Sequence, residues 1–162
     1  MAFPLPEPMR LALAQADEAG EAGEVPVGAV VLRDGALIAS AQNRMRRAAD
    51  PTAHAEMEAL RGAAAVLHTE RLDGCDLWVS LEPCAMCAGA IALARVARLY
   101  FAAPDPKGGA VLHGPRLFGQ PTCHHRPEVY SGIGEAQAAA QLRDFFRLRR
   151  GGDDAGGCAT QP

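Results

Sequence analysis

Long hydrophobic runs, a positive net charge and an even set of cysteines are all missing from this 162-residue sequence. No apolar run reaches the roughly 18 residues that a membrane-spanning helix needs. The first residues are rich in proline and lack a basic segment followed by an apolar one. We therefore expect no signal peptide and a cytoplasmic location. Five cysteines do not suggest a disulfide framework. A net charge of −3 is atypical of a non-specific nucleic-acid binder, but it allows a small basic patch directed at one RNA.

The chain is long enough for one domain, which we predict to span residues 1–150, followed by a disordered C-terminal tail at residues 151–162. The hydrophobic fraction of 49% is ample for a core. Helix-forming and strand-forming segments alternate after an initial hairpin, which predicts an α/β domain with helices on the faces of a mixed sheet. The predicted helices cover residues 9–20, 53–67, 84–94 and 134–149, the strands cover 25–32, 36–41, 77–80 and 96–102, and residues 103–133 are predicted to be loops and short turns.

The chemically informative residues lie in two short motifs, His54-Ala55-Glu56 and Cys84-Ala85-Met86-Cys87, each at the start of a predicted helix. Cys84 and Cys87 share one face of a first helical turn, where the positive end of the helix dipole favours thiolates. With His54 they make three zinc ligands. Catalytic zinc usually keeps its fourth position for water and lowers the pKa of that water towards about 7. Glu56 follows His54 too closely to be a comfortable fourth ligand, so we predict that it moves protons between the water, a ring nitrogen and the leaving amine.

Each motif alone has a simpler interpretation. A lone His-x-Glu is commonly a helix start with a surface carboxylate, and Cys-x-x-Cys also occurs in redox sites and structural zinc knuckles. A knuckle requires further ligands, for which Cys123, His124 and His125 are the candidates. Pro83 before the first cysteine and two helix starts facing one site favour a catalytic centre.

These residues resemble the zinc site of the cytidine-deaminase superfamily, whose signature combines a His-x-Glu with a Pro-Cys-x-x-Cys. The likeness extends furthest to one branch, the bacterial tRNA-specific adenosine deaminase family, and covers roughly residues 9–150. The segments that match the family pattern are Glu24 to Val30, Asn43, Asp50 to Glu56, Leu81 to Ala90, Asp105, Lys107 to Ala110 and Asp144 to Arg150.

The resemblance implies a three-layer α/β/α cytidine-deaminase-like fold with a mixed five-stranded sheet. It also implies hydrolysis of adenosine to inosine at the wobble position of a tRNA anticodon, with one Zn²⁺ per subunit. The implied partners are a tRNA anticodon stem-loop, with arginine tRNA as the expected species, and a second copy of the chain in a homodimer. The wobble adenine is expected to enter the pocket single-stranded or flipped out.

Three residues near the zinc motif are expected to contact the base. Asn43 carries an amide that donates and accepts at once, which suits a purine edge or a ribose. Gly28 lets the backbone approach a flat base closely. The backbone amide of Ala55, with the Pro83–Cys84 segment, is expected to orient water and base. Without the resemblance, Asn43 is a turn former after a strand and Gly28 is a packing glycine.

Asp105, Lys107, His124, Arg149 and Arg150 are expected to contact RNA. By the resemblance, Asp105 faces the RNA backbone, where a carboxylate accepts from a 2′-hydroxyl and so favours RNA over DNA. Lys107, the only lysine, and the two terminal arginines are expected to meet phosphates. Taken alone, Asp105 is a turn residue and the arginines are a solvated helix face. His124 stands where the family commonly has asparagine, so its contact with an anticodon base would have to differ.

Two other functions remain open from the sequence. A free-base or nucleoside deaminase acting on guanine, cytosine or cytidine would share the same zinc site, although the arginine-rich ending and the loop at 105–110 argue against it. A non-catalytic, zinc-stabilised RNA-binding module is the other alternative, and Glu56 together with the three-ligand count argues against that one.

Overall fold

Helices and strands alternate along the chain in the computed structural model, which describes residues 3–153. None of the described helices is long and apolar enough to cross a membrane. A short 3-10 helix, Leu117–Gly119, interrupts the longest loop. In chain order the other elements are α1 (Glu7–Glu21), β1 (Gly28–Arg33), β2 (Ala36–Gln42), α2 (Ala55–Leu67), β3 (Cys75–Leu81), α3 (Ala85–Ala94), β4 (Arg98–Ala103), β5 (Glu128–Ser131) and α4 (Glu135–Asp153).

The five strands form one mixed sheet in the order β2-β1-β3-β4-β5. Strand β1 pairs antiparallel with β2 and β3, whereas β3, β4 and β5 run parallel to one another. The β1–β2 hairpin closes at Asp34 and Gly35, whose φ angles of 50° and 78° suit a two-residue type I′ turn. The predicted hairpin and the mixed five-stranded sheet are confirmed.

Helices cover both faces of this sheet, and the side-chain alternation of β3 shows how the core divides. Leu77 and Val79 pack in the cluster beneath α2 and α3. Trp78 points to the opposite face and packs in a second cluster beneath α1 and α4. The predicted three-layer α/β/α architecture is therefore confirmed.

Two boundaries differ from the sequence-based predictions. Strand β5 lies within residues 103–133, which we predicted to be loops. It has only four residues, at the edge of the sheet, and none of them is fully buried, so it carries little strand periodicity. Helix α4 continues through Asp153, beyond the predicted start of a disordered tail at Gly151. Glycine lowers helix propensity but does not prevent the helical conformation, and the remaining tail residues, 154–162, lie outside the described part of the chain.

The fold brings two helix N-termini together at one edge of the sheet. Strand β3 ends at Leu81, and Glu82, Pro83 and Cys84 turn the chain directly into α3. Helix α2 packs beside α3 on the same face of the sheet. The first turns of both helices, which carry the two zinc motifs, therefore lie close together.

Candidate active site and metal centre

His54 and Cys84 occupy equivalent positions, because each is the N-cap residue of its helix. Their backbones are extended, with φ −70° and ψ 153° at His54 and φ −74° and ψ 177° at Cys84. An N-cap side chain usually accepts a hydrogen bond from the first helical turn. Neither side chain does so here, and both are directed towards each other.

The structure brings together the three side chains that the sequence predicted as metal ligands. Nδ1 of His54 lies 3.7 Å from Sγ of Cys84 and 3.5 Å from Sγ of Cys87. All three donor atoms lie within 4.8 Å of one another. Tetrahedral zinc, with Zn–S of about 2.3 Å and Zn–N of about 2.0 Å, needs N···S separations of about 3.6 Å. The donor chemistry and the spacing therefore fit one zinc ion, with Nδ1 as the ring nitrogen that faces it.

Among residues 3–153, this is the one group of three histidine, cysteine or acidic side chains placed to hold a metal ion. Two of the three alternative ligands for a structural knuckle, Cys123 and His125, are engaged with backbone carbonyls instead. The Cys123 thiol donates to the carbonyl of His125 at 3.1 Å, and Nε2 of His125 contacts the carbonyl oxygen of Val96 at 2.6 Å. The described residues therefore do not assemble a second set of zinc ligands.

The two thiols differ in their ease of ionisation. A hydrogen bond from Cys87 is the main cause that lowers the pKa of Cys84 to about 4, and a hydrogen bond with His54 adds to it against the opposing effect of burial. The pKa of Cys87 is raised, first by its hydrogen bond with Cys84 and then by burial. Cys84 is thus the first of the pair to become the thiolate that binds metals.

Glu56 lies in the first turn of α2, is 4% exposed and borders the same cavity as His54 and Cys84. Burial is the main cause that raises its pKa to about 7, against the opposing effects of its own backbone amide and of His54. A carboxyl group with a pKa near neutrality both accepts and releases a proton readily, as a general acid and base must.

These residues open into a cavity of about 260 Å³, just below the range of about 300–1,000 Å³ that is typical of small-ligand pockets. Only a small part of a large substrate fits such a volume. The lining residues come from both helix starts and from two loops, and they are Val25, Val27, Asn43, Met45, His54, Glu56, Leu81, Glu82, Cys84, Asp105 and Gly108.

Asn43 lies in this lining and is 5% exposed, and its amide bridges two backbone segments. Nδ2 donates to the carbonyl of Val25 at 3.0 Å, and Oδ1 accepts from the N–H of Ala55 at 2.8 Å. The amide keeps one more donor hydrogen and one more lone pair for a ligand. The N–H of Ala55 takes part in this bond within the fold, and its predicted role in orienting water and base stays a prediction. Because Ala55 is fully buried, its N–H needs a partner within the fold.

Gly28 faces helix α1 and is absent from the cavity lining, which gives it a packing role, and its predicted contact with the base stays a prediction. A Cβ atom at this position would lie 2.1 Å from the carbonyl oxygen of Ala12 and 2.6 Å from the backbone nitrogen of Ala16. The glycine is therefore required by the close approach of β1 and α1. It is the packing glycine of the simpler interpretation.

Asp105 lines the cavity and also orders its own loop. Its Oδ1 accepts from the backbone N–H groups of Lys107 and Gly108 at 3.1 and 3.0 Å. This is the turn-forming role of an aspartate after a proline, in a residue that also faces the cavity. The Lys107 side chain is exposed on the same loop.

His124 is exposed and lines a different, larger cavity of about 340 Å³ between α3 and residues 117–125. Neither Glu56 nor any of the three metal ligands borders that cavity. The structure therefore does not bring His124 into the metal-site cavity of its own chain.

Arg149 and Arg150 lie on the exposed end of α4. The guanidinium of Arg149 lies 4.9 Å from the ring centroid of Phe145 and donates to the carbonyl of Gly23 at 3.4 Å. Arg46 donates to the same carbonyl at 3.3 Å. Arg149 is thus held beside the loop that contains Met45, a residue of the cavity lining.

Two buried carboxylates beside the cavity escaped the sequence-based predictions. Glu24 accepts from the backbone N–H groups of Arg46 and Arg47 at 3.2 and 2.8 Å. Burial disfavours ionisation of Glu82, but hydrogen bonds from Asp105 and His113 outweigh it and lower its pKa. In the sequence, Glu24 precedes β1 and Glu82 follows β3. A glutamate beside an apolar strand is ordinarily an exposed residue.

The comparisons with known proteins agree with this geometry. A model of the MafB19-like deaminase family matches residues 6–150. A tRNA-specific adenosine deaminase of Agrobacterium fabrum is 57% identical over 142 residues, which cover 88% of this chain and 93% of the relative. A protein solved in a study of A-to-I editing by tRNA:A34 deaminases at the wobble position of transfer RNA superposes with a TM-score of 0.83 and 56% identity, over 83% of this chain and 98% of the other. A guanine deaminase from Nitrosomonas europaea superposes with a TM-score of 0.70 at 29% identity, over 90% of this chain and 86% of that one.

Proposed function

Because this chain belongs to the family of tRNA-specific adenosine deaminases, we propose that it hydrolyses adenosine to inosine at the wobble position of a tRNA anticodon. The observation that carries the proposal is a three-ligand metal site with a buried, proton-exchanging carboxylate beside it in a small cavity. In the overall reaction, water replaces the exocyclic amine at C6 of adenine, and ammonia leaves.

His54, Cys84 and Cys87 are the residues that would hold zinc. Three protein ligands leave one coordination position of the metal open for water. Zinc held by these ligands would lower the pKa of that water molecule to about 7. Nδ1 of His54 and the Cys84 thiolate are oriented for this by their places at the two helix starts. Cys87 is completely buried, which keeps competing water away from that side of the site.

Glu56 is the proposed catalytic residue. It takes a proton from the attacking water and delivers it to N1 of the adenine ring. It then takes the second proton, from the hydroxyl group formed at C6, and passes it to the amine, which leaves as ammonia. The raised pKa of this carboxyl group, about 7, allows it to take up and release a proton in one cycle. Asn43, which lines the cavity, is proposed to contact the purine edge or ribose with its remaining hydrogen-bonding capacity.

The loop and helix around the cavity are proposed to contact the RNA. Asp105 lies in the wall, where its carboxylate suits a 2′-hydroxyl. Lys107 on the same loop, and Arg149 and Arg150 at the end of α4, are exposed cations suited to phosphates. Arginine tRNA remains the expected species, and the location of tRNA implies a cytoplasmic enzyme.

A homodimer is proposed to form through α3 and the neighbouring loop. Leu93 is 82% exposed on α3 and borders the larger cavity together with Gly89 and Ala92. An apolar side chain beside small residues is typical of a surface that packs against a partner. His124 lines the same cavity, so dimerisation is our proposed route by which this histidine reaches RNA bound to the neighbouring subunit.

The deciding experiment measures inosine in an arginine tRNA after incubation with purified, zinc-loaded protein, beside free guanine, cytosine and cytidine. Inosine formed only at the wobble adenosine supports the proposal. Ammonia released from a free base, with the tRNA unchanged, would keep the zinc chemistry and overturn the substrate. Tight binding of tRNA without any product would support the non-catalytic alternative.

A further inference from the structure

Glu82 is a fully buried carboxylate that accepts hydrogen bonds from five donors. Its Oε1 accepts from the backbone N–H groups of Val111, Leu112 and His113, at 3.3, 2.7 and 3.1 Å. Its Oε2 accepts from the N–H of Asp105 at 2.8 Å and from Nδ1 of His113 at 2.8 Å. The side chain itself has no exposed surface.

These donors lie at both ends of one loop, residues 105–113, and part of that loop forms the cavity wall. Successive backbone N–H groups that point at one place make a concave anion site. Here the anion is the chain's own glutamate, which projects from the end of β3. Glu82 therefore fixes where Asp105 stands in the wall.

Gly109 shows how closely the loop is wrapped around this carboxylate. A Cβ atom at Gly109 would lie 2.5 Å from Cδ of Glu82 and 2.5 Å from the carbonyl oxygen of Asp105. The position accepts only glycine without displacing the loop. Pro83 also holds this loop, because its carbonyl oxygen accepts a hydrogen bond from the N–H of Ala110 at 2.9 Å.

We propose that Glu82 is a positioning residue for the substrate, which holds the Asp105 wall in the place where it receives the RNA next to the target base. This inference rests on the proposed function and deepens it. Glu82 acts through the 105–113 loop and takes no part in the chemistry at the base. Its loss therefore affects the binding of RNA more than the rate of the chemical step.

Two variants disturb the same contact from opposite sides. Glu82→Gln keeps the size of the side chain, but its amide –NH₂ replaces an acceptor oxygen and faces N–H donors. Gly109→Ala leaves Glu82 intact and pushes the loop away from it. If Glu82→Gln fails to fold because it lies two residues from Cys84, Gly109→Ala still decides the question.

Two control variants separate positioning from general damage. Gly20→Ala places a methyl group in ordinary contact with Cβ of Pro26, at 3.5 Å, on helix α1 and outside the lining of both cavities described above. Leu13→Ala creates a cavity in the opposite core cluster, beneath α1. The latter reports what a loss of thermal stability alone does to the kinetics.

The measurements use the zinc-loaded protein and an RNA hairpin that carries an anticodon loop with adenosine at the wobble position. They comprise KM and kcat, the Kd of the hairpin by fluorescence anisotropy, the zinc content, and hydrogen exchange of peptides that cover residues 105–113. We expect KM and Kd to rise on the order of tenfold to a hundredfold in both variants, since the loss of one hydrogen bond between the Asp105 carboxylate and the RNA weakens binding by about that much. We also expect faster exchange in the loop, a smaller change in kcat, and zinc bound as in the unmodified protein. Both controls should keep the original KM.

Unchanged KM and Kd in Gly109→Ala, together with faster exchange in the loop, would overturn the inference, because a displaced wall would then not matter to the RNA. Equal increases in KM in Leu13→Ala would overturn it as well, since the effect would reflect stability. If the unmodified protein makes no inosine in any tRNA, the proposed function fails on its own, while Kd and hydrogen exchange still test the positioning of RNA.

Discussion

Replacing Gly28 with alanine separates packing from substrate contact at a residue for which the structure shows a packing role and the sequence predicts a contact with the base. The new methyl carbon would lie 2.1 Å from the carbonyl oxygen of Ala12, 2.6 Å from the nitrogen of Ala16 and 2.6 Å from Cβ of Gln15. Favourable non-bonded carbon contacts begin at about 3.5 Å. Helix α1 would therefore have to move outwards by more than about 1 Å, and two of the three obstacles are backbone atoms that cannot rotate away.

The cost follows from what α1 covers. Met9 and Leu13 on this helix pack with Trp78 in the core cluster beneath α1 and α4, and an outward shift loosens those contacts. Overpacking of a core typically costs about 1–3 kcal/mol, and backbone obstacles put this case at the upper end. Removing a glycine from a strand returns about 0.5–1 kcal/mol. A net loss of about 2–2.5 kcal/mol corresponds to a Tm lower by roughly 4–10 °C in a protein of this size.

Calorimetry of the zinc-loaded protein measures this loss, and inosine formation in tRNA, assayed well below the lowered Tm, measures the function. We expect a reduced Tm with an unchanged KM. Gly20→Ala, whose new methyl group makes only an ordinary contact with Pro26 at 3.5 Å, serves as the matched control and should leave KM unaltered without lowering the Tm. A variant at position 28 with an unchanged Tm but a KM raised tenfold would refute the packing role and restore the contact with the base.

Four further outcomes are expected. Glu56→Gln should lower turnover by about 10²–10⁴-fold, the usual contribution of a general acid or base. The zinc content, measured by atomic absorption, should stay the same. Removing zinc with a chelator should abolish inosine formation and lower the Tm, because a ligand that binds only the folded state stabilises it; added zinc should restore both. Leu93→Glu should shift the sedimentation coefficient from that of a dimer to that of a monomer, and an unshifted dimer would exclude the α3 surface. Arg149→Ala should raise the Kd for tRNA and reduce the slope of log Kd against log salt by about one unit, whereas an unchanged slope would restrict this arginine to its contacts with Phe145 and Gly23.

The metal site was accessible from the sequence because its information is local. Cys84 and Cys87 are brought onto one helical turn by their spacing alone, and His54 precedes Glu56 by two positions at another helix start. The type I′ turn at Asp34 and Gly35 is local in the same sense. What no spacing revealed was which nitrogen of His54 faces the sulfur atoms, since that depends on how two helices separated by a strand approach each other.

The roles of Gly28, Ala55 and strand β5 in the fold depend on tertiary contacts that no local pattern shows. Gly28 has the conformational freedom that a contact with a base would need, and only the position of α1 shows that this freedom is used for packing. The sequence does not show that the N–H of Ala55 has a partner within the fold. In the structure it donates to Oδ1 of Asn43, twelve positions earlier. Strand β5 owes its existence to its pairing with β4, because four residues are too few to carry a readable period.

The two buried carboxylates explain why the walls of the cavity are harder to predict than its catalytic groups. Glu24 holds the segment after Asn43 through two backbone N–H groups, and Glu82 holds the Asp105 loop on the other side. Irregular loops have no ladder of hydrogen bonds of their own, so a fixed shape requires such an internal acceptor. The same zinc chemistry can therefore be combined with different walls. In a family with one metal motif, we expect substrate choice to depend on which loops these carboxylates hold, more than on the residues that bind the metal.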